Sequence, residues 1–237
     1  MQTIWYPAQQ RGKKDIGWLK SNFHFSFSDY YNPVVSAFGT LLAFNDDFLE
    51  QGKGFGIHPH QNMEIISILL EGKMNHKDSM GYSTHIEAGG VQIMSAGQGL
   101  FHEEYNIGAG EANFLQIWIQ PKLQNVNPRY QQRAFPRENR KNRLTTVVSS
   151  EEGLAHCWIN QNAYIALGFY EQAQALTYHL KQPNKCVFLF CVAGKIQIAG
   201  HTLLSRDALG IWDTTQLDFE VAPHTEFVLI ETVINQK

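Results

Sequence analysis

Short apolar segments, separated by turns that contain glycine, recur along most of the chain. The clearest of them cover residues 64–70, 91–95, 115–119, 185–192 and 227–233. Each has the length of a β-strand rather than that of a helix. Strands that repeat about every 8 to 12 residues with such turns between them are typical of sandwiches and barrels. The sequence therefore predicts an all-β fold.

The chain is long enough for more than one domain. It has 237 residues, of which 43% are hydrophobic and 17% are charged. This composition is globular and supplies enough apolar surface for a substantial core. The length exceeds the usual range of about 100 to 200 residues for a single domain, so one large domain or two smaller ones are expected.

Charge and the N-terminal sequence restrict the partners and the location. The formal net charge is −3 and the pI is near 6.4, so the overall field gives no reason to expect nucleic acid or an anionic membrane as a direct partner. The first residues lack a charged segment followed by an apolar one, which is the pattern of a signal peptide. No window approaches the roughly 18 apolar residues of a transmembrane helix. We therefore expect a cytoplasmic protein.

The three cysteines, Cys157, Cys186 and Cys191, form no C-x-x-C pair. They are expected to be buried thiols in a reducing compartment. Cys186 and Cys191 are an odd number of residues apart, which predicts that they lie on opposite faces of one strand.

A weak internal repeat suggests a duplicated β unit. Residues 69–73 (LLEGK) resemble residues 191–195 (CVAGK), and each segment lies between two predicted strands. Residues 121–143 interrupt the pattern with prolines and basic side chains, and we interpret them as the connection between domains, with a helical turn after Pro128. The prediction is therefore an N-terminal domain at 1–128 and a C-terminal domain at 129–237. A basic patch for nucleic acid or phosphate is the less favoured alternative, because few aromatic residues are interleaved.

Two short polar motifs, His58-Pro59-His60 and His102-Glu103-Glu104, stand out from this pattern. Side chains two residues apart on a strand project from the same face, so the first motif offers two imidazoles and the second an imidazole and a carboxylate. The proline keeps the residue before it extended. Three neutral histidines with one carboxylate are typical ligands of a first-row divalent metal. These motifs predict one mononuclear metal site.

The other histidines lack such spacing. His179, His201 and His224 stand singly, so the C-terminal domain is predicted to have no metal motif. His24 lies in a predicted strand whose opposite face carries phenylalanines, and we interpret it as a structural histidine with its polar atoms satisfied.

The first half of the chain fits the cupin pattern and strongly resembles the pirin family. The similarity is specific as far as Arg133 and weaker beyond it. The segments that carry it are 55–64 (FGIHPHQNME), 70–72 (LEG), 76–81 (HKDSMG), 92–97 (QIMSAG) and 102–106 (HEEYN).

Membership of this family would imply a bicupin, that is, two cupin-type β-sandwich or barrel domains with a metal in the first. Iron is the metal that the resemblance favours, with manganese, nickel, cobalt, copper and zinc as alternatives. Bacterial pirins include proteins with quercetin 2,3-dioxygenase activity, and nuclear members in eukaryotes act as metal-dependent transcriptional cofactors.

The spacing of residues along the strands does not decide which glutamate is the carboxylate ligand. Ordinary cupins would use Glu64, which has even spacing from both His58 and His60. Pirins use the glutamate two residues after the third histidine, so the resemblance favours Glu104. Glu64 would then accept a hydrogen bond from the N–H of a ligand histidine, and Glu103 would face outward or make a similar outer contact.

The resemblance supports two hypotheses about function. The first is a dioxygenase that cleaves flavonols such as quercetin with O2 and releases carbon monoxide, with Glu104 as the base that takes the substrate's hydroxyl proton. An apolar pocket for the planar substrate is then expected, with Phe55, Met63, Phe101 and Trp118 as its lining. The alternative is a metal-dependent regulatory protein whose basic segment at 129–143 contacts a protein partner.

Overall fold

A computed structural model describes residues 1–181 and 185–234, and strands dominate this part of the chain. Its helical elements are two short 3-10 turns, Ala8–Gln10 and Arg137–Arg140. Neither they nor any other part of the described chain forms a helix long and apolar enough to cross a membrane. The all-β prediction is confirmed.

The strands before the second 3-10 turn are short and are joined mostly by tight turns. They are β1 (Gln2–Tyr6), β2 (Gly12–Asp15), β3 (Leu19–Phe23), β4 (Leu41–Leu49), β5 (Gly54–His60), β6 (Glu64–Glu71), β7 (Lys73–Asp78), β8 (Ser83–Glu87), β9 (Gly90–Ser95), β10 (Leu100–Tyr105), β11 (Ala112–Ile119) and β12 (Arg129–Ala134).

The strands after that turn follow a similar sequence of lengths. They are β13 (Arg143–Ser149), β14 (Cys157–Trp158), β15 (Tyr164–Tyr170), β16 (Gln174–His179), β17 (Lys185–Ala193), β18 (Lys195–Ile198), β19 (His201–Leu204), β20 (Ala208–Trp212), β21 (Gln216–Val221) and β22 (Thr225–Val233).

The strands form two β-sandwiches, each with a seven-stranded and a four-stranded sheet. The N-terminal sandwich has the orders β12-β9-β6-β11-β4-β3-β2 and β5-β10-β7-β8. The C-terminal sandwich has the orders β1-β20-β17-β22-β15-β13-β14 and β16-β21-β18-β19. The four-stranded orders correspond strand for strand, and Gly72 and Gly194 make the equivalent turns with φ values of 89° and 91°. Two cupin domains are therefore present, as the internal repeat predicted.

The two domains exchange edge strands across the predicted boundary at residue 128. β12 lies beyond that boundary but pairs with β9 in the N-terminal domain, whereas β1 pairs with β20 in the C-terminal domain. The predicted helical turn after Pro128 is wrong, because β12 begins at Arg129 and the 3-10 turn begins only at Arg137. Edge pairing between segments distant in sequence leaves no signal in local composition.

The main hydrophobic core lies between the two seven-stranded sheets. It combines Phe44 and Ile66 of the N-terminal domain with Phe188 and Phe190 of the C-terminal domain, all fully buried. The two cysteines of β17 lie on opposite faces as predicted, since Cys186 packs in this core and Cys191 in the smaller core of the C-terminal sandwich. All three cysteines are free and buried.

Candidate metal centre

Two neighbouring strands of the four-stranded N-terminal sheet bring three imidazoles together. β5 and β10 run antiparallel, and their register places His102 directly opposite His58. The ring centroids are 4.8 Å apart for His58 and His60, 4.4 Å for His58 and His102, and 4.9 Å for His60 and His102. One nitrogen of each ring lies within 4.8 Å of the others, so the three side chains can bind a single ion.

A β-bulge on β5 orients the first of these histidines. The register shifts between His102 and Glu104, which oppose His58 and Phe55, so the extra residue lies on β5. The carbonyl oxygen of Gly56, within this bulge, is 2.7 Å from Nδ1 of His58. A carbonyl only accepts hydrogen bonds, so Nδ1 carries the proton and Nε2 keeps its lone pair for a ligand.

The imidazoles of His60 and His102 are held in their neutral form. Burial, together with the adjacent rings of His102 and His58, lowers the pKa of His60 to about 4 against the opposing charge of Glu104. Burial also lowers the pKa of His102 to about 4, although Glu104 opposes the shift. Neutral imidazole is the form that binds metal, so His60 and His102 can each offer a lone pair near pH 7 without loss of a proton.

Glu104 projects from the same face of β10 as His102 and is 2% exposed. Its Oε1 accepts a hydrogen bond of 2.5 Å from Nε2 of Gln92, whose Oε1 in turn accepts one of 3.0 Å from the Tyr130 hydroxyl. Burial alone would raise the pKa of Glu104, but the neighbouring His76, His102 and Gln92 outweigh it and lower the pKa below its ordinary value. The carboxyl is therefore ionised at neutral pH.

His76 is a buried member of the site to which the motif analysis assigned no role. Its Nδ1 lies 4.0 Å from Oε1 of Glu104, and its Nε2 donates a hydrogen bond of 2.9 Å to Asp78. Burial would lower the pKa of His76, but Glu104 and Asp78 together raise it above its ordinary value. His76, His102 and Glu104 form a second group whose ligand atoms lie within 4.8 Å of one another. The H-x-D spacing of His76 and Asp78 was the available signal.

A cavity of about 710 Å³ opens beside the histidines, between the two sheets of the N-terminal sandwich. His58, His60 and Glu104 lie on its wall. Phe55, Met63 and Trp118 also line it, and the Trp118 ring packs edge-on against His60 at 5.1 Å between centroids. Such a volume suits a small aromatic ligand.

Phe101 does not line this cavity, contrary to prediction. Its side chain is 53% exposed and lies at an odd position of β10, between the buried Leu100 and His102. The alternation of side chains along a strand places it on the outer face of the sheet. Glu103 occupies the same outer face and lies 3.8 Å from Nζ of Lys77 in an ion pair, which agrees with an outward position.

Known proteins match both halves of the chain. Residues 6–119 match the Pirin family model, and residues 146–232 match the model described as quercetinase C-terminal cupin domain. Quercetin 2,3-dioxygenase from Escherichia coli K12 is 36% identical over 225 residues, which are 94% of this chain and 96% of that protein. A pirin-like protein from Caulobacter vibrioides is 34% identical over 226 residues, which are 95% of this chain and 97% of that protein. The chain belongs to the pirin family.

A solved pirin resembles this one closely in structure. The bacterial pirin YhhW from Escherichia coli, in complex with nickel(II), superposes with a TM-score of 0.92 at 32% identity, covering 98% of this chain and 100% of that one. In the present pirin, both ring nitrogens of His102 are buried and lack hydrogen-bond partners within the described chain, so this ring fits the predicted role of a metal ligand.

Glu64 makes contacts other than those predicted for it. It is fully buried, and its Oε2 accepts hydrogen bonds of 2.7 Å from Ser95 and 3.1 Å from the backbone N–H of Asn160. No hydrogen bond joins it to a metal-site histidine among the described residues, so it is not the acceptor that we predicted. The even spacing of Glu64 from His58 and His60 does not place it on their face, because residues 61–63 turn the chain and β6 begins in the other sheet.

His24 is buried among aromatic rings between the domains rather than on a polar face. The rings of Phe44, Phe188 and Phe190 pack edge-on against it at 5.2, 5.5 and 5.4 Å between centroids. Neither ring nitrogen has a hydrogen-bond partner within residues 1–181 and 185–234, so the predicted satisfied state is not observed. Burial lowers its pKa to about 3.

Proposed function

We propose that this pirin is a metal-dependent dioxygenase that cleaves flavonols such as quercetin with O2 and releases carbon monoxide. The observation that supports it is the position of the His58, His60 and Glu104 side chains on the wall of a 710 Å³ cavity with apolar lining. A planar aromatic substrate with a hydroxyl group can place its rings against the apolar walls and its hydroxyl near the histidines. The name of the Escherichia coli relative supports the same substrate class.

In this proposal His58, His60, His102 and Glu104 hold one divalent transition metal, with iron as the first candidate and manganese, nickel, cobalt, copper and zinc as alternatives. The ligand atoms of the three histidines form one group, and Glu104 is linked to it through His102, with which it shares the second group. When bound, the metal supplies a Lewis acid beside the substrate hydroxyl and a redox centre for the reaction with O2. A divalent metal together with the ionised Glu104 would carry one net positive charge, which would favour an anionic substrate oxygen there.

Glu104 acts as the base in this proposal. It is ionised at neutral pH and lies on the cavity wall, so one of its oxygens can take the proton of a hydroxyl group that binds beside the histidines. The hydrogen bond from Gln92 holds the carboxylate in place while the proton moves. Phe55, Met63 and Trp118 orient the flavonol rings and keep water from the reacting carbons.

The structure weakens the regulatory alternative, in which the basic segment contacts a partner. Arg140 is buried and pairs with Glu226 at 2.6 Å, and Arg137 pairs with the same carboxylate. Arg129 stacks over the ring of Trp158 at 4.7 Å. These charges support the packing between domains, so fewer of them are free for a partner than the sequence suggested.

The test of the enzyme proposal is turnover of quercetin. The metal-loaded protein is expected to consume O2 and release carbon monoxide, and the metal-free protein is not, as measured with an oxygen electrode and a carbon monoxide trap. The rate is expected to rise with pH as the substrate hydroxyl ionises more easily. No turnover with iron, manganese, nickel, cobalt or copper would favour the regulatory function, and turnover that survives in His102→Ala would place the chemistry elsewhere.

Metal binding is tested separately by elemental analysis. One metal per chain is expected in the wild type and much less in a His58→Ala/His60→Ala variant. His85→Ala, which removes an exposed histidine of β8, is the matched control and should keep full occupancy. Two metals per chain, or full occupancy in the double variant, would contradict the proposed site.

A further inference from the structure

The wall of the cavity opposite the histidines carries polar side chains that the proposed reaction does not use. Along β4 the alternate residues Ala43, Asn45 and Asp47 line the cavity. Asp46, between them, projects to the other side and pairs with Arg11 and Arg206 at 3.0 and 2.9 Å. Asn45 and Asp47 therefore lie on the cavity side of β4, whereas Asp46 forms ion pairs on its other side.

Asn45 and Asp47, which both line this space, each carry a buried oxygen without a hydrogen-bond partner among the described residues. They are 1% and 3% exposed, and Oδ1 of each lacks a hydrogen-bond partner within the part of the chain that the structure describes. Buried acceptors in folded proteins are nearly always hydrogen-bonded, to protein or to ordered water. Two such acceptors on one cavity wall are suited to a ligand whose hydroxyl groups replace water.

Adjacent strands extend this polar surface. Ser21 of β3 lies opposite Asp47, and Gln116 of β11 lies opposite Asn45 in the sheet register, and both line the cavity. Facing sheets of a sandwich lie about 10 Å apart, so this wall and the histidine wall can contact opposite ends of one aromatic ligand.

The ionisation of Asp47 is consistent with contact to hydroxyl groups. Burial raises its pKa to about 7, with Ser21 opposing the shift and the charges of Asp46 and Glu104 adding to it. Near neutral pH such a carboxyl can accept a hydrogen bond from a phenol or, when protonated, donate one to it.

We propose that Asn45 and Asp47, with Ser21 and Gln116, form a subsite that binds the phenolic hydroxyl groups of a polyhydroxylated aromatic substrate on the cavity wall opposite the histidines. The choice of a flavonol as that substrate rests on the proposed function. Asp47 is here a positioning residue, since it determines which aromatic compounds bind and how they are oriented, without taking part in ring cleavage.

The first test compares two flavonols by direct binding to metal-loaded protein without oxygen. Trp18 and Trp118 line the cavity, so quenching of tryptophan fluorescence reports occupancy. Asp47→Ala should weaken binding of quercetin about 10- to 100-fold, because hydrogen bonds to a charged acceptor are lost. Binding of 3-hydroxyflavone, which has no other hydroxyl group, should change less than about 2-fold. Asp47→Asn keeps an acceptor oxygen and should recover most of the affinity.

Asp29→Asn, an exposed change outside the cavity, is the matched control and should bind both flavonols like the wild type. Equal weakening of both flavonols by Asp47→Ala, or unchanged quercetin binding, would overturn the subsite. With turnover, the same variant should raise KM for quercetin more than it lowers kcat.

A second test does not depend on flavonols being substrates. Resorcinol cannot chelate a metal through its two hydroxyl groups, and 1,3-dimethoxybenzene has the same ring and the same oxygen positions but no hydrogen-bond donor. Ligand-detected NMR should show that the wild type prefers resorcinol and that Asp47→Ala loses this preference. If neither flavonol binds, the proposed function fails, while the resorcinol preference would still support the subsite. No preference in the wild type would overturn it.

Discussion

At the scale of single residues, two buried glutamates of the N-terminal domain have different surroundings. Glu104 lies beside His102 and His76 on the four-stranded sheet, and these neighbours lower the pKa of its carboxyl. Glu64 lies on the seven-stranded sheet, where burial raises its pKa to about 7 against the opposing hydrogen bonds from Ser95 and Asn160. Only the first has the charge and the position expected of a ligand.

Glu104→Gln is therefore expected to lose metal more severely than Glu64→Gln. The first change removes a proposed ligand, whereas the second alters a contact between domains. Loss of an outer contact to a metal site lowers affinity by about 10- to 100-fold, and loss of a ligand should exceed this range. Metal affinity measured by competition with a chelator checks the order. If Glu64→Gln has an empty metal site and Glu104→Gln a filled one, the ligand is Glu64, as in ordinary cupins.

His24 should make the free energy of unfolding depend on pH in the acidic range. Its pKa is about 3 in the folded protein against 6.5 ordinarily, so the unfolded chain binds a proton that the folded one excludes. Its contribution to stability is complete above pH 6.5 and falls as the pH drops towards 3, by up to about 5 kcal/mol.

Urea unfolding of the metal-free protein at several pH values measures this effect. His24→Leu should show a flatter loss of unfolding free energy between pH 6.5 and 4 than the wild type, because leucine has no proton to bind. His156→Leu, which replaces a partly exposed histidine, should keep the wild-type slope. Identical slopes in wild type and His24→Leu would show that other groups control the acid response.

At the scale of elements, the turn before β10 positions half of the candidate metal site. Gly97 has a φ of 48°, and a Cβ there would collide with the carbonyl oxygen of Val126. Its own carbonyl accepts a hydrogen bond of 2.9 Å from the N–H of Asn62, in the loop that follows His60. This glycine therefore connects the two strands that carry the histidines.

Gly97→Ala should destabilise the protein by at least about 3 kcal/mol and lower metal occupancy, because the turn must move to admit the methyl group. Gly52→Ala is the matched control. Gly52 also has a positive φ, of 71°, but a Cβ there would meet nothing within 4 Å, so a cost of about 1–2 kcal/mol is expected. Urea unfolding and elemental analysis measure both effects. Equal losses of stability in the two variants would show that the collision of a Cβ at residue 97 with the Val126 carbonyl has no effect.

At the scale of the whole molecule, the two cupin domains should unfold together. They share the core around Phe44, Phe188 and Phe190, and each completes its seven-stranded sheet with a strand from outside its own sequence segment. Neither the 1–128 segment nor the 129–237 segment contains a complete sandwich by itself. The first lacks β12, which pairs with β9, and the second lacks β1, which pairs with β20.

Scanning calorimetry of the metal-free protein should therefore show one transition. Phe188→Ala, in the C-terminal domain, should destabilise the whole chain by about 3–5 kcal/mol, because it leaves a cavity in the shared core. The fluorescence of Trp118 in the N-terminal domain should report the same lowered midpoint. Leu204→Ala, at an exposed site of β19, should leave it unchanged. Two separate transitions would contradict this coupling.

The sequence by itself determined the features that depend on local periodicity. Strand length and turn residues predicted the all-β fold, the repeat around Gly72 and Gly194 predicted two similar units, and spacing by two grouped His58 with His60 and His102 with Glu104. The same rule already argued against Phe101 as cavity lining, because its parity is that of Glu103. These inferences hold because side-chain direction within one strand follows from chain geometry alone.

The tertiary structure decided what depends on pairing between distant segments. The meeting of His58 with His102 requires the register of β5 and β10, and the role of His76 requires β7 beside β10. Glu64 lies in the other sheet because the chain turns before β6. Asn45 and Asp47 line the cavity because β4 forms one of its walls. The exchange of β1 and β12 is likewise invisible in local sequence, since hydrogen bonds along a sheet edge are made by backbone atoms that every residue shares.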